Sequence, residues 1–219
     1  EVLLMRWFRA YWLQILAHIG ALLPLVLLFR DFTQNQLSAD PIKEIQLRTG
    51  SYALILLMLT LGCTPVYIIS GLKQVLQLRQ LLGLYTTMYA SLHFLNFVGL
   101  DYGFDVALIR EDIFEKRYAV VGFAAFLILL ALALTSANWW RKRLGRNWKR
   151  LHRLIYAAAF LAILHFLWQV KVDIRRPVIY VVILAILLAF RIPAIKEIVY
   201  GRSKWLKKQQ INNSQTDDI

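Results

Sequence analysis

The feature that most constrains this chain is a series of six apolar stretches, each about as long as a membrane span. A helix needs about 20 predominantly apolar residues to cross the hydrocarbon core of a bilayer. The stretches fall at about 8–29, 51–70, 80–101, 118–140, 150–170 and 177–195. The chain is 59% hydrophobic and 18% charged, whereas soluble domains average about 45–50% and 25%. We therefore predict an all-α polytopic membrane protein, built as a bundle of six transmembrane helices.

The same pattern predicts how the chain is divided. One membrane domain is expected over residues 1–202, followed by a polar cytoplasmic tail at 203–219. Pro24 is expected to bend the first stretch, and Gly62 and Pro65 to interrupt the second. The single cysteine, Cys63, excludes an internal disulfide and an iron–sulfur cluster held by several cysteines. We identify no internal repeat.

The distribution of positive charge predicts the orientation in the membrane. Of the 26 Lys and Arg residues, 17 fall on the side that holds the N-terminus and 9 on the other, while 4 of the 13 acidic residues fall on the first side. The formal net charge of +13 is therefore confined to one face. The positive-inside rule then places both termini of this multi-pass protein in the cytoplasm. Topology and contact with anionic lipid explain this basic face, so no nucleic-acid partner is expected.

Two histidines inside the apolar stretches point to a bound cofactor. His93 lies in the third stretch and His165 in the fifth, and both stretches cross the membrane in the same direction. The two side chains lie roughly 13 and 15 residues into their stretches, so they are expected at similar depth. A titratable ring at that depth is costly unless something binds it. Two neutral imidazoles that face each other can ligate a haem iron from both axial sides, which suits electron transfer.

The other two histidines leave alternatives open. His152 lies between three and four helical turns before His165, and Arg79 lies about four turns before His93, at the depth of His152. A second haem there would have His152 as one ligand, with Arg79 near the other axial position or paired with a propionate. Because this spacing places His152 and His165 about 140° apart on an ideal helix, either the helix winds irregularly or the rings face different neighbours. His152 could also be a solvated interfacial side chain. His18 could be a packing residue or belong to a haem or quinone neighbourhood.

An ordered set of motifs resembles the MsrQ (YedZ) family. The matching pieces are His18 with Gly20 to Pro24, the loop 39–46 closing on Thr49-Gly50, Thr64-Pro65, Arg79 to Leu84, Leu92-His93, Thr135-Ser136, and the run from Leu144-Gly145 through Trp148, Leu151-His152 and Tyr156 to His165 and Trp168. The resemblance covers about residues 12–195. It implies a ferric-reductase-like transmembrane fold, with b-type haem held between the third and fifth helices.

The resemblance also implies a function, cofactors and partners. It implies a membrane subunit that takes electrons from the quinone pool and passes them to a periplasmic, molybdenum-containing methionine sulfoxide reductase, which repairs oxidised envelope proteins. His93, His165 and His152 fall on the haem histidines of the family, and Arg79 falls where larger relatives have a fourth histidine. One or two b haems are therefore expected. FMN is associated with the family, but this sequence has no glycine-rich loop to cradle its phosphate.

Features that the sequence lacks define the functional alternatives. About 24 residues follow position 195, too few for the flavin and nicotinamide domain of NADPH oxidases, so a membrane donor or a separate cytoplasmic flavoprotein is expected to supply electrons. No acid–base or nucleophile constellation is visible, which favours an electron-transfer subunit over a catalytic one. One alternative is a self-sufficient transmembrane ferric or quinone reductase of the same fold. An alternative of another class is a haem-free membrane scaffold.

Overall fold

The computed structural model describes residues 2–170, 173–193, 195 and 197, with side chains from residue 11 onward, and this part of the chain is helical without β-strands. The helices are α1 Val2–Thr33, α2 Pro41–Ser70, α3 Gln74–Leu95, α4 Val106–Glu115, α5 Arg117–Leu134, α6 Asn138–Leu144, α7 Arg146–His152, α8 Ile155–Gln169 and α9 Arg175–Ala189. A π-helical turn, Asn96–Asp101, continues α3 at its C-terminal end. The all-helical class predicted from hydropathy is confirmed.

Helix α2 forms the centre of the bundle. About 56% of its most apolar segment is buried, against 11–17% for the corresponding segments of α1, α5 and the α7–α8 span. One buried cluster joins α2 through Leu57 to Leu129 of α5 and to Ala158 and Ala159 of α8. A second cluster joins α2 to α1 and α3, where fully buried Tyr89 donates to the carbonyl of Ala21 at 2.7 Å. The outer faces of the other long helices are apolar and exposed, as lipid contact requires.

The expected interruption of the second apolar stretch is wrong. α2 continues through Gly62 and Pro65 as one helix of 30 residues and begins ten residues before the predicted position. Proline has no N–H, so the carbonyl of Leu61 loses its intrahelical donor. Arg191 donates to that carbonyl through Nη2 at 3.2 Å, which satisfies it inside the protein. Such compensation is what allows proline within a membrane helix.

A network of ion pairs fixes the start of α2 against the end of α1. The buried carboxylate of Asp31 accepts from Arg48 at 2.7 Å and from Arg30 at 2.8 Å. Arg48 also pairs with Glu44 at 2.5 Å, one turn earlier on α2. Asp40 caps α2 by accepting from the backbone N–H of Lys43. The first turns of α2, which carry part of the site described below, are therefore held at several points.

Four of the described helical segments are long and apolar enough to cross a membrane, at Tyr11–Thr33, Pro41–Ser70, Arg117–Leu134 and Arg146–Gln169. A fifth crossing is added if Gln74–Asp101 and Val106–Glu115, which meet at a bend of 120°, count as one span. The sixth predicted stretch corresponds to α9, which has 15 residues and ends at Ala189 rather than near 195. The count of six spans stays a prediction. The predicted tail at 203–219 and the domain boundary at 202 lie outside the described residues.

Candidate functional site

The structure brings His93 of α3 and His165 of α8 together. The centroids of the two imidazole rings are 6.1 Å apart, and the ring planes are nearly perpendicular at 86°. These helices are the third and fifth of the predicted series, so the two side chains meet where the sequence placed them. The third helix continues into the π-helical turn just after His93, whereas α8 continues for four residues after His165.

Each of the two rings is anchored to the backbone of a different helix. Nδ1 of His93 lies 2.9 Å from the carbonyl oxygen of Gln46 on α2. Nδ1 of His165 lies 2.7 Å from the carbonyl oxygen of Tyr118 on α5. Because a carbonyl oxygen only accepts, each Nδ1 must carry the proton, and Nε2 of each neutral ring then holds the lone pair. Metal-binding histidines are oriented in this way, with the second ring nitrogen donating to a backbone carbonyl.

The contacts of Nε2 on His93 agree with that tautomer. The side-chain amide of Gln46 lies 3.3 Å from this nitrogen and donates to its lone pair. Asn96, which is buried, donates to Oε1 of Gln46 at 2.6 Å and to the carbonyl of Ile42 at 3.2 Å, so the amide of Gln46 is itself oriented. These two bonds join the π-helical turn to α2. Gln46 therefore occupies the electron pair through which His93 would bind a metal.

Both histidines line a large cavity between the helices, of about 1460 Å³. Its walls are mainly apolar and include Phe94 stacked on Phe126, with ring centroids 4.8 Å apart. Its polar lining residues are fewer and include Gln46, Asp101, Tyr102, Asp112, Lys116, Gln169 and Arg176. Sites for small molecules are commonly about 300–1,000 Å³. The cavity can therefore accommodate a cofactor of haem size with space left for the side chains to adjust.

The residues present fit the haem that the sequence resemblance implies. The ring separation of 6.1 Å leaves space for one metal ion, because two metal–imidazole bonds of about 2 Å each take up about 4 Å and the inner halves of the two rings take up the rest. Among the described residues, no group of three or more His, Cys, Asp or Glu side chains is placed to hold a metal ion. Two imidazoles alone suit a metal that brings its own equatorial ligands, as a porphyrin iron does.

His152 and Arg79 do not line this cavity. His152 ends α7, stacks on Trp148 with ring centroids 4.0 Å apart, and its Nε2 lies 3.3 Å from Oγ1 of Thr135. Arg79 is exposed on α3, and its charge interacts with His152. The backbone between α7 and α8 tightens into i-to-i+3 hydrogen bonds at Arg153 and Leu154. The predicted irregular winding is therefore present, and His152 and His165 also face different neighbours.

His18 lies apart from the paired histidines. It is exposed on α1, and its Nδ1 lies 2.7 Å from the hydroxyl of Tyr85 on α3. It does not line the cavity between α3 and α8. A hydrogen bond between two membrane helices is the contact expected of a packing residue.

One signal of the paired site was overlooked in the sequence. The tetrapeptide Leu-His-Phe-Leu occurs twice, at 92–95 and again at 164–167. The carbonyls that accept from the two histidines, those of Gln46 and Tyr118, are separated by the same interval along the chain as the two tetrapeptides. Hydropathy does not reveal this relation, because most of the other residues that this interval pairs are of different types.

Comparison with known proteins identifies the family. The profile described as ferric reductase like transmembrane component matches residues 49–163. Two proteins called protein-methionine-sulfoxide reductase heme-binding subunit MsrQ, from Xanthomonas axonopodis pv. citri and Bordetella pertussis, are 46% and 39% identical over 183 and 181 residues. These alignments cover 81% and 82% of this chain and 84% and 88% of the relatives.

The chain belongs to the MsrQ family. The resemblance carried by its motifs is thereby confirmed. The match to the transmembrane profile and the long apolar helices of the chain together indicate a multi-pass membrane protein. No solved structure matches it.

Proposed function

We propose that the chain is a b-type haem-binding membrane subunit that passes electrons across the bacterial inner membrane to a periplasmic, molybdenum-containing methionine sulfoxide reductase. The electrons come from the quinone pool or from a cytoplasmic flavoprotein, and the substrate chemistry belongs to the partner. Relatives at 39–46% identity are called heme-binding subunits of a protein-methionine-sulfoxide reductase, which supports the cofactor and the partner. The charge distribution supports cytoplasmic termini.

The observation that carries the proposal is the pair His93 and His165. Their rings face each other across a largely apolar cavity, with each Nδ1 bonded to a backbone carbonyl. Nε2 of His165 and, once the amide of Gln46 moves aside, Nε2 of His93 would hold the haem iron. A haem held by two histidines would serve electron transfer rather than the binding of oxygen or substrate.

The surrounding residues have complementary roles. A haem, when bound, supplies a one-electron carrier that alternates between ferric and ferrous iron. The aromatic side chains Phe94, Phe123 and Phe126 exclude water from the cavity and pack against a flat apolar ligand. Lys116 and Arg176 are basic groups of the lining, suited to carboxylates such as haem propionates. FMN and a second haem at His152 are part of the proposal only through the family resemblance.

The test is spectroscopic. The protein should be purified in detergent, and the haem-to-protein ratio measured with a reduced-minus-oxidised spectrum. We expect a low-spin b-type spectrum in the wild type. His93→Ala and His165→Ala should each lose that signal, whereas His18→Ala should keep it.

Electron transfer then separates the proposal from its alternatives. In proteoliposomes, quinol should reduce the haem, and reoxidation should require the periplasmic reductase with methionine sulfoxide. Sustained turnover with quinol and chelated ferric iron alone would favour a self-sufficient reductase. A colourless preparation without a Soret band would favour the haem-free scaffold, and a normal low-spin spectrum in His93→Ala would contradict the pairing.

A further inference from the structure

Two glycines lie in contact with the paired histidine rings. A Cβ atom added at Gly122 would lie 2.5 Å from Nδ1 and 2.8 Å from Cε1 of His165. A Cβ atom added at Gly50 would lie 3.0 Å from Nδ1 and 2.9 Å from Cε1 of His93. These separations are well below carbon contact distances of about 3.5–4.0 Å. Each imidazole therefore occupies space that a side chain at the facing position would fill.

The two contacts are built in the same way. Gly50 lies four residues after Gln46 on α2, and Gly122 lies four residues after Tyr118 on α5. In a helix, the N–H of a glycine bonds to the carbonyl four residues earlier, and these are the carbonyls that also accept from the histidines. Each histidine follows its glycine by the same number of residues. Two helix pairs, α2 with α3 and α5 with α8, thus present equivalent half-sites.

We propose that Gly50 and Gly122 are positioning residues for the two axial ligands. Each glycine lets an imidazole lie directly against the neighbouring helix, so that its Nδ1 reaches a backbone carbonyl and its Nε2 is left for the metal. The inference rests on the proposed function, because the rings are positioned for a cofactor only if they bind one. It adds to that function the residues that set the orientation of the two ligands.

The physical reason lies in the space beside the carbonyl. A helix carbonyl has a second lone pair that can accept another donor. The side chain four residues later lies next to the path by which that donor would reach the carbonyl oxygen. At Gly50 and Gly122 no side chain stands there. A methyl group would push the ring outward, lengthen the bond to Nδ1 and turn Nε2 away from its present direction. Loss of such an outer hydrogen bond typically weakens metal binding by about 10- to 100-fold.

The experiment compares three single glycine substitutions in the full-length protein. Gly50→Ala and Gly122→Ala should each bind haem at least about tenfold more weakly than the wild type, at the lower end of the range for losing an outer partner. Low-spin signals in any remaining haem should be shifted. Gly122→Ala should be the more severe change, since its Cβ would come closer to the ring.

Gly83→Ala, on the same helix as His93, is the matched control. The nearest atom to a Cβ at Gly83 is Cγ2 of Thr60, 3.8 Å away, and Gly83 does not line the cavity. Replacing glycine by alanine inside a helix usually stabilises by about 0.5–1 kcal/mol. The control should therefore keep normal haem content and an unchanged spectrum.

A second measurement separates positioning from general damage to the helix. In the His165→Ala background the ring is gone, so Gly122→Ala should not lower the thermal stability of the apo-protein any further. His93→Ala should remove the cost of Gly50→Ala in the same way. If Gly122→Ala is as harmful without the ring as with it, the contact with His165 is not the cause and the proposal fails. This cycle applies even where the single variant loses haem completely.

The failure of this proposal can be distinguished from failure of the proposed function. If His93→Ala and His165→Ala lose the low-spin spectrum but Gly50→Ala and Gly122→Ala bind haem normally, only the glycine proposal is overturned. If the histidine variants keep that spectrum, the proposed pairing of ligands itself is wrong.

Discussion

The level of the bundle around His93 and His165, called the outer level after the orientation that the charges predict, differs sharply from the level around His152, called the inner level. At the outer level two rings face each other, line a cavity and are anchored through Nδ1 to backbone carbonyls. At the inner level one ring stacks on Trp148 and bonds through Nε2 to a threonine hydroxyl. Backbone anchoring at the outer level thus leaves the lone pair on Nε2 of each ring, where the amide of Gln46 bonds to that of His93, whereas at the inner level Nε2 of His152 is itself bonded to the hydroxyl of Thr135.

The difference shows that a histidine within an apolar helix pair does not by itself make a metal site. The number of residues that separates His93 from His165 also separates Arg79 from Leu151. The counterpart of Arg79 is therefore Leu151 and not His152. α3 is one continuous helix from Gln74 to Leu95, whereas the corresponding segment is broken between α7 and α8. The repeated geometry therefore holds at the outer level and is lost at the inner one.

The largest expected effect separates the two levels directly. His165→Ala should abolish the low-spin signal, because it removes one of two facing ligands. His152→Ala should keep that signal with an unchanged midpoint potential, because His152 does not line the cavity. The measurement is a redox titration followed optically, with iron determined per protein.

A fall of iron in His152→Ala by one atom per protein, with the outer spectrum kept, would show a second haem at the inner level. Loss of the outer spectrum in His152→Ala would break the comparison, since it would make the two levels one site.

A smaller effect is expected at Thr135. Thr135→Val removes the hydroxyl that bonds Nε2 of His152 and donates to the carbonyl of Ala131 at 2.7 Å, but keeps the backbone carbonyl that accepts from Trp148. Loss of the bond to His152 should contribute about 1 kcal/mol to the lower stability of the apo-protein, measured from its unfolding temperature. The outer haem spectrum should not change. In the His152→Ala background, Thr135→Val should cost less by that amount. An equal cost in both backgrounds would show that the hydroxyl acts only through its bond to Ala131.

The smallest effect concerns Asp112, Lys116 and Tyr102, which line the cavity. Asp112 pairs with Lys116 one turn later, and this bond raises the pKa of the Lys116 ammonium above its usual range. Burial first, and then the hydrogen bond to Asp112, raises the pKa of Tyr102. Both raised pKa values mean that the folded protein favours the protonated form of each group. The resulting contribution to stability is present below about pH 10, where the groups ordinarily titrate, and is lost as the pH rises through the raised pKa values.

Asp112→Asn should therefore lower the free energy of unfolding at about pH 7 by about 0.5 kcal/mol or less, because the Lys116 side chain is 44% exposed. The difference from the wild type should shrink as the pH rises above about 10.5. Thermal unfolding at a series of pH values measures it. A difference that grows with pH would contradict the assigned direction of the shifts. Lys142→Gln, an exposed change elsewhere on the chain, serves as the control.

Much of the architecture was predictable because lipid imposes a simple rule on composition. Apolar runs of about 20 residues are visible without any structure, and the meeting of His93 with His165 followed from equal depth on two helices that run in parallel. The angular mismatch between His152 and His165 on an ideal helix left two alternatives, an irregular winding or different neighbours for the two rings, and the structure shows both. These features depend on residue type and spacing along one helix.

The remaining features depend on contacts between helices that are distant in sequence. Continuity of α2 through Pro65 relies on a bond from Arg191, which hydropathy does not reveal. The anchoring of His93 depends on the carbonyl of Gln46, and backbone carbonyls are the same in every residue type. Gly50 and Gly122 carry no side chain whose chemistry could attract notice. Their role becomes visible only when the neighbouring ring is placed.

The division of the site between two helix pairs has a consequence for its assembly during synthesis. The first half-site, α2 with α3, is complete once His93 has left the ribosome, but its partner ring, His165, is still to be made. At translation rates of about 5–20 residues per second, a separation of roughly 70 residues makes the first histidine wait about 4–14 s for the second. During that interval the amide of Gln46 can shield the lone pair of His93. On the proposed pairing of His93 with His165, insertion of the cofactor is therefore a late event, after α8 has entered the membrane.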